Sequence, residues 1–381
     1  MRKKPRPLAE DLRAASQLLV DATAGTTGVV EQMHHAIASG PLGWPVRQVS
    51  SLVYSSVRGV TRAVGGVVDQ ALEQLAPLLG ESEPGPEWLA AVAALNGVIG
   101  DKLAESGNAL AQPMELHRGS DSKPSRRLVV LVHGSAMSDL QWSRQGHDHG
   151  MALERDLGYS AVYVRYNSGL HISVNGRLLA AELERLVDTW PVEVEALALL
   201  GFSMGGLVAR SACHLAELER HRWRRRLRTL IFLGTPHHGA PLERAGNWVD
   251  TLLTVSRYSA PIARLGRIRS AGVTDLRFGL VRDEDWQGRD RFQLGADHRA
   301  PLPLPRGVSC HAIAATQSPG PARRLRSDGL VPVESALGQG AGRLDLEVPP
   351  EHQRIIYGAG HLDLLSRPEA YRAISEWLRA G

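Results

Sequence analysis

The chain has 381 residues, of which 43% are hydrophobic and 22% charged, with a formal net charge of +4. That is the composition of an ordinary globular protein, long enough to bury a large core in one or two domains. It excludes a disulfide scaffold, since there are two cysteines, Cys213 and Cys310, read as buried free thiols; it excludes a membrane-spanning helix, since no stretch reaches ~18–20 apolar residues; and it argues against nucleic acid as a partner, since the densest basic cluster, Arg222 to Arg228, has no aromatic platform beside it.

The chain opens on Met1-Arg2-Lys3-Lys4-Pro5-Arg6, basic like the first segment of a signal peptide. Glu10, Asp11 and Arg13 interrupt before an apolar core develops, so the expectation is a cytoplasmic protein, at most peripheral to a lipid surface. Residues 1–112 read as an N-terminal helical region. Val53, Val57, Val60, Val64, Val67, Ala71, Leu75 and Leu78 recur every three or four residues and form one helical face. Gly59, Gly65 and Gly66 weaken that helix by about 1 kcal/mol each relative to Ala, so it needs something to pack on. Two readings stand for it: a face packed on the rest of the protein, or a face laid on a lipid surface. A further helix is expected from Glu87 to Glu105, after the turn Glu83-Pro84-Gly85-Pro86.

From residue 113 onward, short apolar strands alternate with amphipathic helices. Strands are expected at 114–117, 128–132, 161–164, 196–200, 230–233 and 308–314, with a last one near Leu344 to Val348. Helices are expected from Asn175 to Trp190, with Leu178, Leu179, Leu183 and Leu186 inward, from about Gly205, and from Pro368 to Ala380. The pattern predicts an α/β fold, a mostly parallel sheet flanked by helices. Residues 241–306 interrupt it. They are too long for an ordinary loop, follow the C-terminal end of a strand, and contain an expected helix at Gly246 to Val255, so they read as a cap or lid over a site.

The chemistry centres on Gly201-Phe202-Ser203-Met204-Gly205-Gly206. A buried strand followed by Gly-x-Ser-x-Gly and a helix is the signature of a nucleophile elbow, in which a strained turn lifts a serine hydroxyl clear of the sheet. A serine hydroxyl is a poor nucleophile at neutral pH and needs a base, and the base needs an acid to orient it. His361, in the small-residue loop Gly358-Ala359-Gly360-His361-Leu362-Asp363, is the candidate base, and Asp328, in Ser327-Asp328-Gly329-Leu330-Val331-Pro332, the candidate acid. Asp297 is the rival acid, but it lies in the expected cap. Two amides are candidates for an oxyanion hole: Met204, directly after the serine, and Ser135, with Ala136 as its rival, in Leu131-Val132-His133-Gly134-Ser135-Ala136. His133, His237 and His238 read as supports of loops beside the site. His147-Asp148-His149 and His237-His238 lack a third metal ligand at a recognisable spacing.

Taken together, the His-Gly after an early strand, Gly-Phe-Ser-Met-Gly-Gly, Gly234-Thr235-Pro236-His237-His238-Gly239-Ala240, Ser327-Asp328-Gly329-Leu330-Val331 and His361-Leu362-Asp363 resemble bacterial lipases and esterases of the α/β-hydrolase superfamily. The branch with GPI inositol-deacylase-like hydrolases and triacylglycerol lipases is the most similar. The resemblance covers about residues 126–240 and 307–381. It implies an α/β-hydrolase catalytic domain at 113–381, with Ser203 as nucleophile, Asp328 as acid, His361 as base, and Ser135 with Met204 as oxyanion amides. Phe202 stands where many such lipases carry His. Asp363 matches one ligand of a structural calcium found in some of them; the remaining ligands are not recognisable, and no cofactor or metal is expected. The expected activity is hydrolysis of an acyl ester or lipid. A thioesterase, acyltransferase or phospholipase would use the same triad, and a lipid-surface or scaffold protein with an idle hydrolase fold is the alternative of another class.

Overall fold

A computed structural model describes residues 86–240, 270–291, 297–321 and 326–380. The expected valine-faced helix and the expected helix at 246–255 lie outside the described residues. The chain divides into two compact units, of which the larger, Leu89–Lys102 with Gln112–Gly381, holds the sheet. That unit takes in part of the stretch expected to form the N-terminal helical region. Of the smaller unit, the described end, Leu103–Ala111, finishes a helix and turns, with Asn108 N–H donating to the Leu103 carbonyl at 2.9 Å.

In chain order, helix α1 (Pro86–Glu105) leads to strand β1 (Glu115–Arg118) and strand β2 (Arg127–Val132). Helix α2 (His149–Leu157), strand β3 (Ser160–Arg165) and helix α3 (Ile172–Thr189) follow. Next come strand β4 (Ala196–Phe202), helix α4 (Met204–Leu218) and strand β5 (Leu227–Leu233). Two short helices, α5 (Ala271–Asp275) and α6 (Asp283–Trp286), precede strand β6 (Ser309–Thr316). Helix α7 (Val333–Ala336), strand β7 (Gln353–Tyr357) and helix α8 (Pro368–Ala380) complete the described chain.

The strands form one sheet in the order β1-β3-β2-β4-β5-β6-β7. Only β1 runs antiparallel, against β3; every other pairing is parallel. Leu128 to Val132 and Leu197 to Leu200 are buried on both faces, which is why these strands read as continuous apolar runs rather than alternating ones. Helix α8 turns Ala370, Ala373, Ile374, Trp377 and Leu378 inward. In α3, Leu179 and Leu183 are buried, but Leu178 is 40% exposed, contrary to expectation. One residue is a turn of about 100° on a helix, and that carries Leu178 off the buried stripe.

The last strand is not at Leu344 to Val348. That stretch is a 3-10 turn, Gly342–Leu344, followed by irregular chain. Leu346 and Val348 are still buried, so their apolar alternation comes from tucking two side chains inward, not from pairing with the sheet. Pro349 and Pro350 then stop any ladder, because proline has no N–H to give it. The true strand, β7, is the sheet's edge, and only Ile356 of its five residues is fully buried, so its apolar signal is weak.

The parallel strands bring the chain's loops to one edge. There α1 lies against two of them. A side chain at Gly97 would meet Ala136, and one at Gly100 would meet Asn167, whose Nδ2 donates to the Gly100 carbonyl at 2.8 Å. Small residues at both positions allow that close approach. The described part of the expected cap is held to the same edge. Asp275 accepts from the His171 ring and from the Ile172 amide at the start of α3, and Trp286 stacks on His171 with ring centroids 3.7 Å apart.

Candidate active site

Ser203 sits between β4 and α4 at φ 53°, ψ −123°, a conformation that side chains with a Cβ rarely adopt. The neighbouring glycines explain how the turn closes. A Cβ on Gly201 would strike the backbone of Gly206, one on Gly205 the carbonyl oxygen of Val132, and one on Gly206 the side chain of Thr235. The Ser203 amide donates to the Leu233 carbonyl at 2.8 Å, which ties the turn to β5. Its hydroxyl is buried and has no hydrogen-bond partner among the described residues.

His361 begins a 3-10 turn after β7. Its amide donates to the Asp328 carbonyl at 3.1 Å, and its Nδ1 lies 2.7 Å from Asp328 Oδ2. Both side chains are buried, at 2% and 0% exposure, so the pair is shielded from water. The other Asp328 oxygen, Oδ1, accepts from the Leu330 and Val331 amides at 2.9 and 2.7 Å. The carboxylate is therefore locked in orientation from both sides. The His361 ring packs on Phe202, centroid to centroid 4.8 Å, and so stands beside the residue preceding Ser203. Gly234, at φ 62°, makes room: a Cβ there would lie 3.1 Å from His361 Cε1.

The loop after β2 reaches the same place. A Cβ on Gly134 would lie 3.2 Å from Ser203 Cβ. Ala136 spends its amide on Ser168 Oγ at 2.9 Å. Met204 is the first residue of α4, where helix amides point outward unpaired. His133 supports the loop: its Nδ1–H donates to the Gly134 carbonyl at 2.8 Å, its ring stacks on Tyr166, and the Tyr166 hydroxyl donates to the His133 carbonyl at 2.8 Å. Burial pushes the His133 ring down to about 4, so it is neutral at pH 7.

The other candidates are occupied elsewhere. Asp297 pairs with Arg299 Nε at 2.9 Å. Asp363 accepts from the Gly360 amide at 2.9 Å and fixes the entry to the His361 turn. The Arg222 to Arg228 cluster makes ion pairs with its own fold: Arg222 with Glu184 and Asp188, Arg224 with Glu217, Arg226 with Glu193. Cys213 and Cys310 are buried free thiols, and burial pushes Cys310 up to about 12. Among the described residues no group of three or more His, Cys, Asp or Glu is arranged to hold a metal.

Three supporting residues carry no local sequence signal, because their partners are distant: Ser168 on the Ala136 amide, Tyr166 on the His133 carbonyl, and His149, whose Nε2–H donates to the Leu364 carbonyl at 2.9 Å. The helix that carries His149 did have a signal. Asp148 is its N-cap, accepting from the Met151 amide at 3.0 Å.

Residues 123–294 match the family model for the PGAP1-like alpha/beta domain; Asp328 and His361 lie beyond the match. Among solved structures, the chain is similar to the mature form of the Bacillus licheniformis lipase BlEst2, at 16% identity and TM-score 0.46, covering 71% of this chain and 98% of that one. A lipase-esterase related protein from Clostridium acetobutylicum aligns at 12% identity and TM-score 0.39, covering 71% and 99%. YbtT, a type II thioesterase from the yersiniabactin biosynthetic pathway, aligns at 17% identity and TM-score 0.39, covering 69% and 96%. No curated protein sequence matches the chain. At these identities the structural likenesses say nothing of the bond that is cleaved. The sheet order and the family match give the chain an α/β-hydrolase fold, in which residues 123–294 are similar to the PGAP1-like alpha/beta domain.

Proposed function

We propose that the chain is a serine carboxylic-ester hydrolase of the lipase or esterase type, acting on an acyl ester or lipid through an acyl-enzyme on Ser203. One observation carries the reading: a buried Asp328–His361 hydrogen bond of 2.7 Å stands beside a serine held in a strained elbow. A carboxylate only accepts, so the bond puts the imidazole proton on Nδ1 and leaves the Nε2 lone pair as the base.

In the first half-reaction Nε2 takes the Ser203 proton as Oγ attacks the ester carbonyl. The carbonyl electron pair moves onto oxygen, where the Ser135 and Met204 amides would donate to it, each worth about 2.7–4 kcal/mol. The tetrahedral intermediate collapses, the alcohol leaves with the proton from Nε2, and the acyl group stays on Oγ. In the second half-reaction Nε2 takes a proton from water, the hydroxide attacks the acyl carbonyl, and the acid leaves as Ser203 recovers its proton. Asp328 orients the ring and stabilises its charged form throughout.

The test is labelling with a fluorophosphonate, which traps an activated serine. Labelling at Ser203 in the wild type and none in Ser203→Ala is expected; an unlabelled wild type, or equal labelling of the variant, removes the reading. Parallel assays with nitrophenyl esters and acyl thioesters of increasing chain length then separate an esterase from a thioesterase.

A further inference from the structure

The sequence groups helix α1 with the N-terminal region, yet one of its turns lies on the loop after β2, which carries the proposed oxyanion donor Ser135. Gly97 is buried, and a Cβ there would lie 2.5 Å from Ala136 Cβ, 2.6 Å from its Cα and 2.9 Å from its amide nitrogen. Helix backbone therefore packs directly on loop backbone, one residue past Ser135. Ala136 itself stands at φ 57°, a left-handed conformation that a residue with a Cβ keeps only where its surroundings impose it. Two neighbours impose it: the Gly97 backbone, and Ser168 Oγ, which accepts from the Ala136 amide at 2.9 Å.

The α1 turn is anchored in its own right. The helix breaks at Ile99, where φ is −134° and ψ 18°. Around the break, two carbonyls accept from side chains outside the helix: Gly97 from Ser270 Oγ at 2.7 Å, and Gly100 from Asn167 Nδ2 at 2.8 Å. Asp101 is 5% exposed, and its Oδ2 accepts from the Ala271 amide at 3.0 Å and from Arg291 Nη1 at 2.6 Å. The next residue of α5 reaches the other neighbour of Ala136. The Gly272 amide donates to the Gly169 carbonyl at 3.0 Å, and a Cβ on Gly272 would lie 2.2 Å from the Ser168 carbonyl oxygen. Ser270 to Gly272 thus touch both groups that hold Ala136.

We propose that Gly97 and Asp101 are positioning residues for the oxyanion hole. Asp101 fixes the α1 turn to the start of α5, and the bare backbone at Gly97 lets that turn hold Ala136 left-handed, which fixes the loop that carries the Ser135 amide. Neither residue meets the reacting atoms; both act through Ala136. The inference rests on the acyl-enzyme mechanism proposed above, and it makes α1 part of the catalytic unit. Negative charge gathers on the oxyanion only in the transition state, so a displaced donor lowers kcat and spares KM.

The test compares a nitrophenyl ester with its thionoester on the full chain. Sulfur is the weaker acceptor, so a damaged oxyanion hole slows the oxoester more than the thionoester, whereas a misplaced base slows both alike. Gly97→Ala drives a methyl group into the Ala136 backbone. It is expected to lower kcat for the oxoester about a hundredfold, with KM little changed, and to lower the oxoester-to-thionoester ratio about tenfold. Asp101→Ala is expected to lower kcat about tenfold and the ratio in the same direction; Asp101→Asn keeps an oxygen for the Ala271 amide and should recover most of both. Gly176→Ala is the control, since a Cβ there would lie 2.2 Å from Ser211 Oγ, outside this set of contacts. It should cost stability and leave the ratio unchanged. A Gly97→Ala enzyme that loses only melting temperature, or loses rate with an unchanged ratio, overturns the proposal. If that variant does not fold, an unchanged ratio in Asp101→Ala overturns it. A wild type that fluorophosphonate does not label removes the Ser203 reading and this one with it; a labelled wild type with unchanged ratios in the variants removes this one alone.

Discussion

His149, in α2, donates its Nε2 proton to the carbonyl oxygen of Leu364, 2.9 Å away, in the turn that His361 begins. Its Nδ1 accepts from His147 Nε2–H at 2.9 Å, and its ring stacks on that of Tyr371 in α8. The turn that carries the proposed base is thus braced by a helix distant from it in the chain. His149→Phe keeps the ring and removes the donor. It is expected to lower kcat for a nitrophenyl ester about tenfold with little change in KM, since misplacing a base costs the transition state and not ground-state binding. Fluorophosphonate labelling should slow in the same proportion. Unchanged labelling with a lower melting temperature would make the brace merely structural.

Asp328 meets His361 with one oxygen and two backbone amides with the other. Asn at this position would keep an oxygen for the amides and turn its NH2 towards Nδ1. The ring would then carry its proton on Nε2, facing the serine, where it cannot act as a base. Asp328→Asn is expected to lower kcat by about 10⁴ while the fold is retained. A variant within tenfold of wild type, with unchanged circular dichroism, would remove Asp328 from the mechanism.

What the residues disclosed and what they hid follow from physics. The elbow was legible because its steric demands are local: Gly201, Gly205 and Gly206 each face atoms that a Cβ would strike, so the requirement is written into the motif itself. Strands β2 and β4 were legible because burial on both faces leaves an unbroken apolar run. Strand β7 was not, because an edge strand buries little, while Leu346 and Val348 imitate its pattern in irregular chain. Helix α2 is hard to see because His147-Asp148-His149 invites a metal reading, although Asp148 is there as a cap. That the Ala136 amide is taken by Ser168, 32 positions away, is a contact no local pattern reveals.

The buried histidines predict how stability responds to acid. Burial pushes His133 and His149 down to about 4, and holds His237 well below the usual imidazole range. In the unfolded chain these rings titrate near the ordinary ~6.5. Between about 6.5 and 4 the unfolded state therefore binds more protons than the folded one, and stability falls as the pH falls through that window. The loss is of order 2–3 kcal/mol each for His133 and His149. Urea midpoints measured at pH 7, 6 and 5 should decline steadily. A midpoint that holds level down to pH 5 would mean these rings are not kept neutral by burial.

The glycine beyond the serine should be intolerant of even one methyl group. A Cβ on Gly205 would be driven into the carbonyl oxygen of Val132, which belongs to the rigid β2 ladder and cannot retreat. Gly205→Ala is expected to lose more than about 3 kcal/mol in urea unfolding, or to yield no folded protein. Gly358→Ala is the control: a Cβ there meets nothing, so its cost is limited to the strain of φ 61°. Equal losses for the two would discard the steric account of the elbow.

The strain at Ser203 gives a prediction that separates folding from chemistry. Its φ of 53° and ψ of −123° place a Cβ where only glycine is at ease. Ser203→Ala removes the hydroxyl and keeps that Cβ, so the backbone strain remains. Ser203→Gly removes both, and glycine's freedom in the unfolded chain offsets only part of the relief. Both variants are expected to lose fluorophosphonate labelling, but Ser203→Gly should be the more stable by about 1 kcal/mol in urea unfolding. If Ser203→Ala proves the more stable of the two, the turn is not strained, and a forced backbone must be given up as the cause of the hydroxyl's placement.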